Sequence, residues 1–329
     1  MNWRIACVLA ACSVTLVAQA PPVTMLDIET ANGVLYSWDV ADPSGLGSSA
    51  SIVPTTFRVF MPWIFFADVV AVNGKPAKGV YASRATIVRL TTTATPGRAI
   101  SDVNRSDIFD PHLEIQDADG TPIGTIVASG FAGGTAPPGA PTAASSQNIA
   151  IVGGTGAFLG VRGQLAYGRA SARGASMVED PANRRTHGGG SIRLILHLIP
   201  MTWPEIVTLP TGPAIFHGDD FSRVTADKPA RAGERLIMSV SGLGPVRPNL
   251  DPGKPFPPYE EGKLHEVNSP VEVSVNGREA RVVNKIGWPT MNNVYRVDFV
   301  VPEGTAAGLA TLGLSVAWIN GPEVKLPVR

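Results

Sequence analysis

The chain has 329 residues, more than one hydrophobic core normally organises, which predicts two domains. Lys plus Arg and Asp plus Glu both total 27, so no net charge directs it to nucleic acid or to an anionic surface. The only two cysteines, Cys7 and Cys12, lie in the opening segment, which leaves the rest with no thiol, disulfide or Cys metal ligand.

Met1 to Ala20 reads as a secretory signal peptide. Arg4 precedes an apolar run from Ile5 to Ala18, and Ala18-Gln19-Ala20 forms a small-residue cleavage site. Pro21 directly after the cut is unfavourable for a signal peptidase. Leu9-Ala10-Ala11-Cys12 looks like a lipoprotein box, but the apolar stretch before Cys12 is short. The expectation is export, to a secreted, periplasmic or cell-surface location, with the segment removed and no membrane span.

From Pro22 to Pro200 the pattern is that of β-strands. Gly33 to Val40, Thr56 to Met61, Ser83 to Thr92, His112 to Gln116, Ile123 to Ser129, Gln147 to Val152, Gly163 to Ala170 and Ser191 to Ile199 are apolar or alternating runs bounded by turn residues. Ser191 to Ile199 is the clearest, with Ile192, Leu194, Leu196 and Leu198 on one face and Arg193 and His197 on the other. Met61 to Val72 is the most apolar stretch after the opening segment and reads as a buried strand pair or a short helix. Asp119-Gly120 is a hairpin turn. Asp117 to Gly120 also resembles the start of a calcium loop, but the twelfth position would be Ala128 rather than Glu.

Ile151 to Ala170 organises this half. Gly153, Gly154 and Gly156 follow an apolar run, and Phe158, Gly160 and Gly163 lead into a second one. A dinucleotide-binding loop would open a helix there, yet Gly163, Gly168 and Gly174 interrupt the segment from Val161 to Ala175, and Val161, Leu165 and Tyr167 recur at strand period. Strand, turn and strand is the reading.

The order Gly153, Gly154, Thr155, Gly156, Phe158, Gly160, Gly163 and Gln164 resembles the signature of the allene oxide cyclase and dirigent superfamily. The similarity extends more weakly from Thr56 to Pro200. It implies an antiparallel eight-stranded β-barrel over residues 22–203, with the motif as a structural Gly-rich turn between late strands. It also implies a cofactor-free enzyme reading, in which a barrel confines a reactive apolar intermediate and guides its cyclisation or coupling. Polar groups for such a barrel are Arg84, Arg89, Asp107, Tyr167 and Arg169. Arg84 and Arg89 are an odd number apart, so a regular strand turns only one inward. Trp38, Trp63, Phe65 and Phe66 would line a cavity or fill a core.

Ala132 to Ser146 is rich in Gly, Pro, Ala and Ser and reads as a long loop. Arg169 to Gly190 carries Arg173, Arg184, Arg185, His187, Glu179 and Asp180. It reads either as a barrel rim where ligands enter or as a solvated loop of mixed charge.

Residues 204–212 form a linker, and residues 213–329 read as a second all-β domain. Arg235 to Ser241, Pro270 to Val275, Ala280 to Val283, Val294 to Val301, Ala310 to Trp318 and Val324 to Val328 have the spacing of a small sandwich. Asn276-Gly277 marks a hairpin and Pro302-Glu303-Gly304 a turn. Pro229 to Glu234, Ser241 to Pro245, Val275 to Ala280 and Tyr295 to Pro302 resemble, in order, an uncharacterised C-terminal domain of secreted acidobacterial proteins. That resemblance implies an immunoglobulin-like sandwich. Ile286 to Pro289 departs from its usual pattern, which puts a surface loop in doubt.

The chain contains no G-x-S-x-G elbow, no H-E-x-x-H and no P-loop. His217, Asp219 and Asp220 either form a polar turn or supply N/O ligands, and the turn reading leaves no metal site. His112 reads as an edge residue rather than a general base. No cofactor is expected. The preferred function is an exported binding or surface-interaction module with a small apolar ligand or an extracellular partner. The alternative is the barrel enzyme.

Overall fold

The computed structural model describes residues 23–37, 61–88, 106–132, 139–251, 253–260 and 262–329. The proposed signal segment, Trp38 and Arg89 lie outside them.

Eight long strands form the first unit: β1 (Thr24–Ser37), β2 (Met61–Val72), β3 (Lys78–Val88), β4 (Ser106–Gln116), β5 (Pro122–Ala132), β6 (Ser146–Gly156), β7 (Arg162–Ser171) and β8 (Ser191–Ile199). Each pairs antiparallel with the next, β8 pairs with β1, and β1 pairs with β2, so the sheet closes on itself. This is the antiparallel eight-stranded barrel that the Gly-rich motif implied. Closure pairs every strand on both sides.

The alternation read from the sequence sets what fills it. Leu26 and Ile28 on β1, Leu113 and Ile115 on β4, Ile149 and Ile151 on β6, and Leu194, Leu196 and Leu198 on β8 are 0–2% exposed and share one core. Each such burial is worth about 1.5–3 kcal/mol, and side chains rather than solvent occupy the middle and lower barrel.

The two ends differ. At the lower end the connections are short: residues 73–77, 117–121 and 157–161. Asp117-Ala118-Asp119-Gly120 is there the expected tight turn, with Gly120 N–H donating to the Asp117 carbonyl. At the upper end every connection is long: 38–60, 89–105, 133–145 and 172–190.

Of these, residues 172–190 are largely exposed, as a loop of mixed charge would be, but part of the segment is structured. They fold down the outside of the barrel as a strap. Arg173–Ser176 pairs parallel with Val34 to Ser37 of β1. Two bulges in the β1–β2 pairing turn Val34 and Tyr36 outward, where they form a small second core with Ala175, flanked by Phe66 and Met177. Beside it, Arg184 and Arg185 both bind the buried carboxylate of Asp68, which also accepts from Asn32 at 2.9 Å.

The second unit is a sandwich. One sheet is built on β9 (Arg235–Ser241), which pairs with a later strand, Val294–Val300, itself paired to Val282–Gly287. In chain order the remaining long strands are β10 (Val271–Val275), β11 (Val282–Gly287), β12 (Val294–Val300), β13 (Gly308–Val316) and β14 (Val324–Val328). The other sheet joins β10, β13 and β14. Leu236, Met238, Val297 and Phe299 from the first face Val273, Leu312, Leu314 and Leu326 from the second in one core. Asn276-Gly277 turns β10 into Arg278–Ala280 with both residues at positive φ, as a two-residue hairpin requires.

The sandwich is seated against the lower end of the barrel. Its hairpin turn at Ala317-Trp318 adds Ala317, Trp318 and Ile319 to the barrel core. Arg247 Nη2 donates to Thr121 Oγ1 at 3.1 Å, Asn268 donates to the Pro122 carbonyl, and Lys75 pairs with Glu272 at 2.8 Å. All three barrel partners lie at its lower-end turns.

Candidate functional site in the upper barrel

Above the aliphatic layers the interior becomes aromatic. Trp63 and Phe65 face inward from β2, Tyr81 from β3, Phe109 from β4 and Tyr167 from β7. The rings touch in sequence. Trp63 and Phe109 have centroids 5.3 Å apart, Phe109 and Tyr167 6.0 Å, Tyr81 and Tyr167 6.3 Å, and Phe65 and Tyr81 5.6 Å. The contacts of Tyr167 are both edge-to-face, the favoured geometry for aromatic pairs.

Polar atoms are few here. The Tyr81 and Tyr167 hydroxyls hydrogen-bond to each other inside the barrel. Burial pushes the Tyr81 hydroxyl far above the ordinary tyrosine range, against smaller opposing effects from Ser83 and Tyr167. It therefore stays protonated. Ser83 Oγ influences Tyr81, yet makes no hydrogen bond of acceptable geometry among the described residues. The Trp63 indole Nε1 is buried with no acceptor among the described residues. Trp63 and Tyr167 keep 7% and 6% exposure, whereas Phe109 and Tyr81 are at 0%. All of these rings are buried, and the layer lies on the side of the barrel from which the long connections leave.

The predicted polar residues divide. Tyr167 lies in this layer. Arg84 does not: it is exposed on the outer face, with Nε 3.2 Å from Asp110, because Tyr81, Ser83 and Ala85 hold the inward positions of β3. Arg169 is exposed, within a bulge in the β7–β8 pairing, with no ion pair among the described residues. Asp107 sits opposite Ile87 and Ala132 at the upper ends of β3 and β5, and its side chain is outside the described residues. The structure brings none of the described arginines into the interior. Of the aromatics singled out, Trp63 and Phe65 face inward, and Phe66 packs outside under the strap with Tyr36. Tyr81 and Phe109 were not anticipated. Their signal was present as an aromatic at the inward phase of two neighbouring strands, Tyr81-x-Ser83-x-Ala85 and Phe109-x-x-x-Leu113.

The Gly-rich motif lies at the opposite end. Gly153, Gly154, Thr155 and Gly156 close β6, and residues 157–161, including Phe158 and Gly160, make the turn into β7, where Gly163 sits. Phe158 is buried in the barrel core, and a Cβ on Gly160 would strike Met201. The motif is a piece of the lower end, away from the aromatic layer.

In the second unit His217 is held between Glu234, 2.5 Å from its Nδ1, and the Lys228 carbonyl, 3.2 Å from its Nε2. Asp220 binds Lys228 and Ser222. His112 is exposed on β4. Among the described residues no group of three or more His, Cys, Asp or Glu is gathered as for a metal ion. Among them, too, no helix is long and apolar enough to cross a membrane.

No protein-family model matches the chain, and no curated protein sequence does. Solved structures similar to part of the chain include the following two. One is a pyocyanin demethylase, 19% identical, covering 53% of this chain and 99% of its own with a TM-score of 0.24. The other is a pterocarpan synthase dirigent protein, 14% identical, covering 60% of this chain and 97% of its own with a TM-score of 0.27. At these identities and scores neither carries an activity over to this chain, and the barrel is established by its own strand order.

Proposed function

We propose that this chain is an exported binding protein whose barrel takes a flat apolar ligand at its upper end. The sandwich acts as its base and closes the lower end. The observation that carries the reading is the aromatic layer of Trp63, Phe109 and Tyr167. It lies above a filled core and contains a buried indole N–H that has no acceptor among the described residues, a donor that a ligand oxygen would satisfy once the layer opens to admit it. A planar ligand bearing one hydroxyl or carbonyl oxygen would cover the rings and accept from Trp63.

The barrel-enzyme alternative draws on the hydroxyl pair. Tyr81, kept protonated by burial and hydrogen-bonded to Tyr167, would hold the Tyr167 hydroxyl in place toward a reactive intermediate rather than act as a base.

Titration calorimetry with 2-naphthol tests the proposal. Saturable binding is expected, weakened at least about tenfold by Trp63→Ala, a loss of about 1.4 kcal/mol. Binding that Trp63→Ala leaves unchanged, in a variant with normal β circular dichroism, would overturn it.

A further inference from the structure

Lys285 lies on β11 directly opposite Val297 of β12, and Val297 is fully buried in the sandwich core. Cross-strand partners share a face, so this lysine leaves the strand on the inner face of its sheet, at the half-buried edge of the sandwich. Its ammonium donates to the Ser269 carbonyl at 2.9 Å, and no carboxylate lies within ion-pair distance of it among the described residues. Ser269 beside it is fully buried, with a hydroxyl that has no partner among the described residues. Lys285 is half-buried, and a partly desolvated ammonium with a single carbonyl partner gains from an anion that completes it. Desolvation lowers the Lys285 pKa. Glu266, Asp117 and Asp119 act at longer range to raise it, and Arg247 to lower it.

The space around it is a cleft of about 590 Å³ along the edge of the sandwich. Pro270 and Val271 line it from one sheet, Val282, Val283 and Ile286 from the other, and Leu264 borders it. Val283 and Leu264 are 45% and 38% exposed, so the apolar wall is accessible. The cleft's size falls in the roughly 300–1,000 Å³ range of small-molecule sites, and its lining is mixed, with Glu266, Asn284 and Lys285 beside the apolar side chains.

We infer that this inter-sheet cleft binds a small amphiphile with a single carboxylate, its head on Lys285 and its apolar body over Leu264, Val271, Val282 and Val283. Charge selects the head group. One inward cation matches one negative charge, and the exposed Glu266 at the rim opposes anything more highly charged. A charge-assisted hydrogen bond to the half-buried ammonium supplies the discrimination against a neutral head.

Titration calorimetry with octanoate and with 1-octanol tests this on the full chain. Octanoate should bind saturably, more tightly than 1-octanol. Lys285→Met should weaken octanoate at least about tenfold while leaving 1-octanol unchanged, the scale of one lost charge-assisted contact. Val283→Asp, at an exposed position, should weaken octanoate by a similar factor through repulsion, and Glu266→Gln should tighten it. Trp63→Ala should leave octanoate binding intact, which separates this cleft from the barrel. If Lys285→Met fails to fold, Val283→Asp decides alone. No saturable octanoate binding, equal affinity in wild type and Val283→Asp, or loss in Trp63→Ala would each overturn the inference.

Discussion

Asp68 lies on the outer phase of β2, where a carboxylate would ordinarily face water, yet the strap buries it to 8% exposure. Burial alone would raise its pKa. The hydrogen bonds from Arg185, Asn32 and Arg184 overcome that and hold it at about 2. Because the folded value lies below the ordinary 3.8, the stabilisation is complete above about pH 4 and is lost as pH falls toward 2. Asp68→Asn removes that dependence and leaves the enclosed Arg184 without its charge partner, at a cost of about 3 kcal/mol. The expected outcome is faster trypsin cleavage after Arg184 and Arg185 with the barrel still folded. In wild type the same acceleration should appear only as pH drops through this window, read with an acid-active protease cutting the strap. Unchanged cleavage in the variant would mean that the small core of Val34, Tyr36 and Ala175 holds the strap without the ion pairs.

At the scale of elements, legibility follows how far each strand keeps a strict period of two. Ser191–Ile199, Arg235–Ser241 and Val324–Val328 have the predicted bounds because one face is apolar throughout. β1 is legible only from Gly33, whereas it begins at Thr24: bulges after Glu29 and Ala31 shift the phase and scramble the alternation. Met61–Val72 reads equally as a strand pair or a helix because it is apolar on both faces. The structure gives the reason, since the strap covers Phe66 and Asp68 on the outside. The aromatic site is legible only in part. Trp63, Phe65 and Tyr167 stand out as residue types, but nothing local tells a ring at the accessible end of a barrel from one in its middle. Lys285 is invisible, because a lysine in Val-Val-Asn-Lys-Ile-Gly reads as the solvent face until a bulge sets its phase.

The Gly-rich stretch is legible as strand, turn and strand, and its chemistry is steric. Gly156 has φ +63°, and a Cβ there would collide with the Ile123 carbonyl oxygen. Gly156→Val combines a β-branched side chain at positive φ with that collision. It is expected to cost about 3 kcal/mol or more and to unfold the barrel. A Gly156→Val chain with wild-type β circular dichroism and melting temperature would refute the structural role.

For the molecule as a whole, the two units share one end of the barrel. Phe158 and the motif turn close it from within, and the Ala317-Trp318 turn packs into the same core from the sandwich. Both turn residues are at positive φ, 48° and 62°, where Asn and Gly are usual. A tryptophan there is held by what it packs against. A ligand of the barrel is thereby confined to the upper end, and this polarity is the central claim. Fluorine NMR of protein labelled with 5-fluorotryptophan tests it, with Trp63 and Trp318 assigned through Phe substitutions and 2-naphthol as the titrant. The predicted result is that the Trp63 resonance moves along the binding curve while that of Trp318 stays fixed. Movement of Trp318 with Trp63 unaffected would contradict it, placing the ligand at the end assigned here to the sandwich.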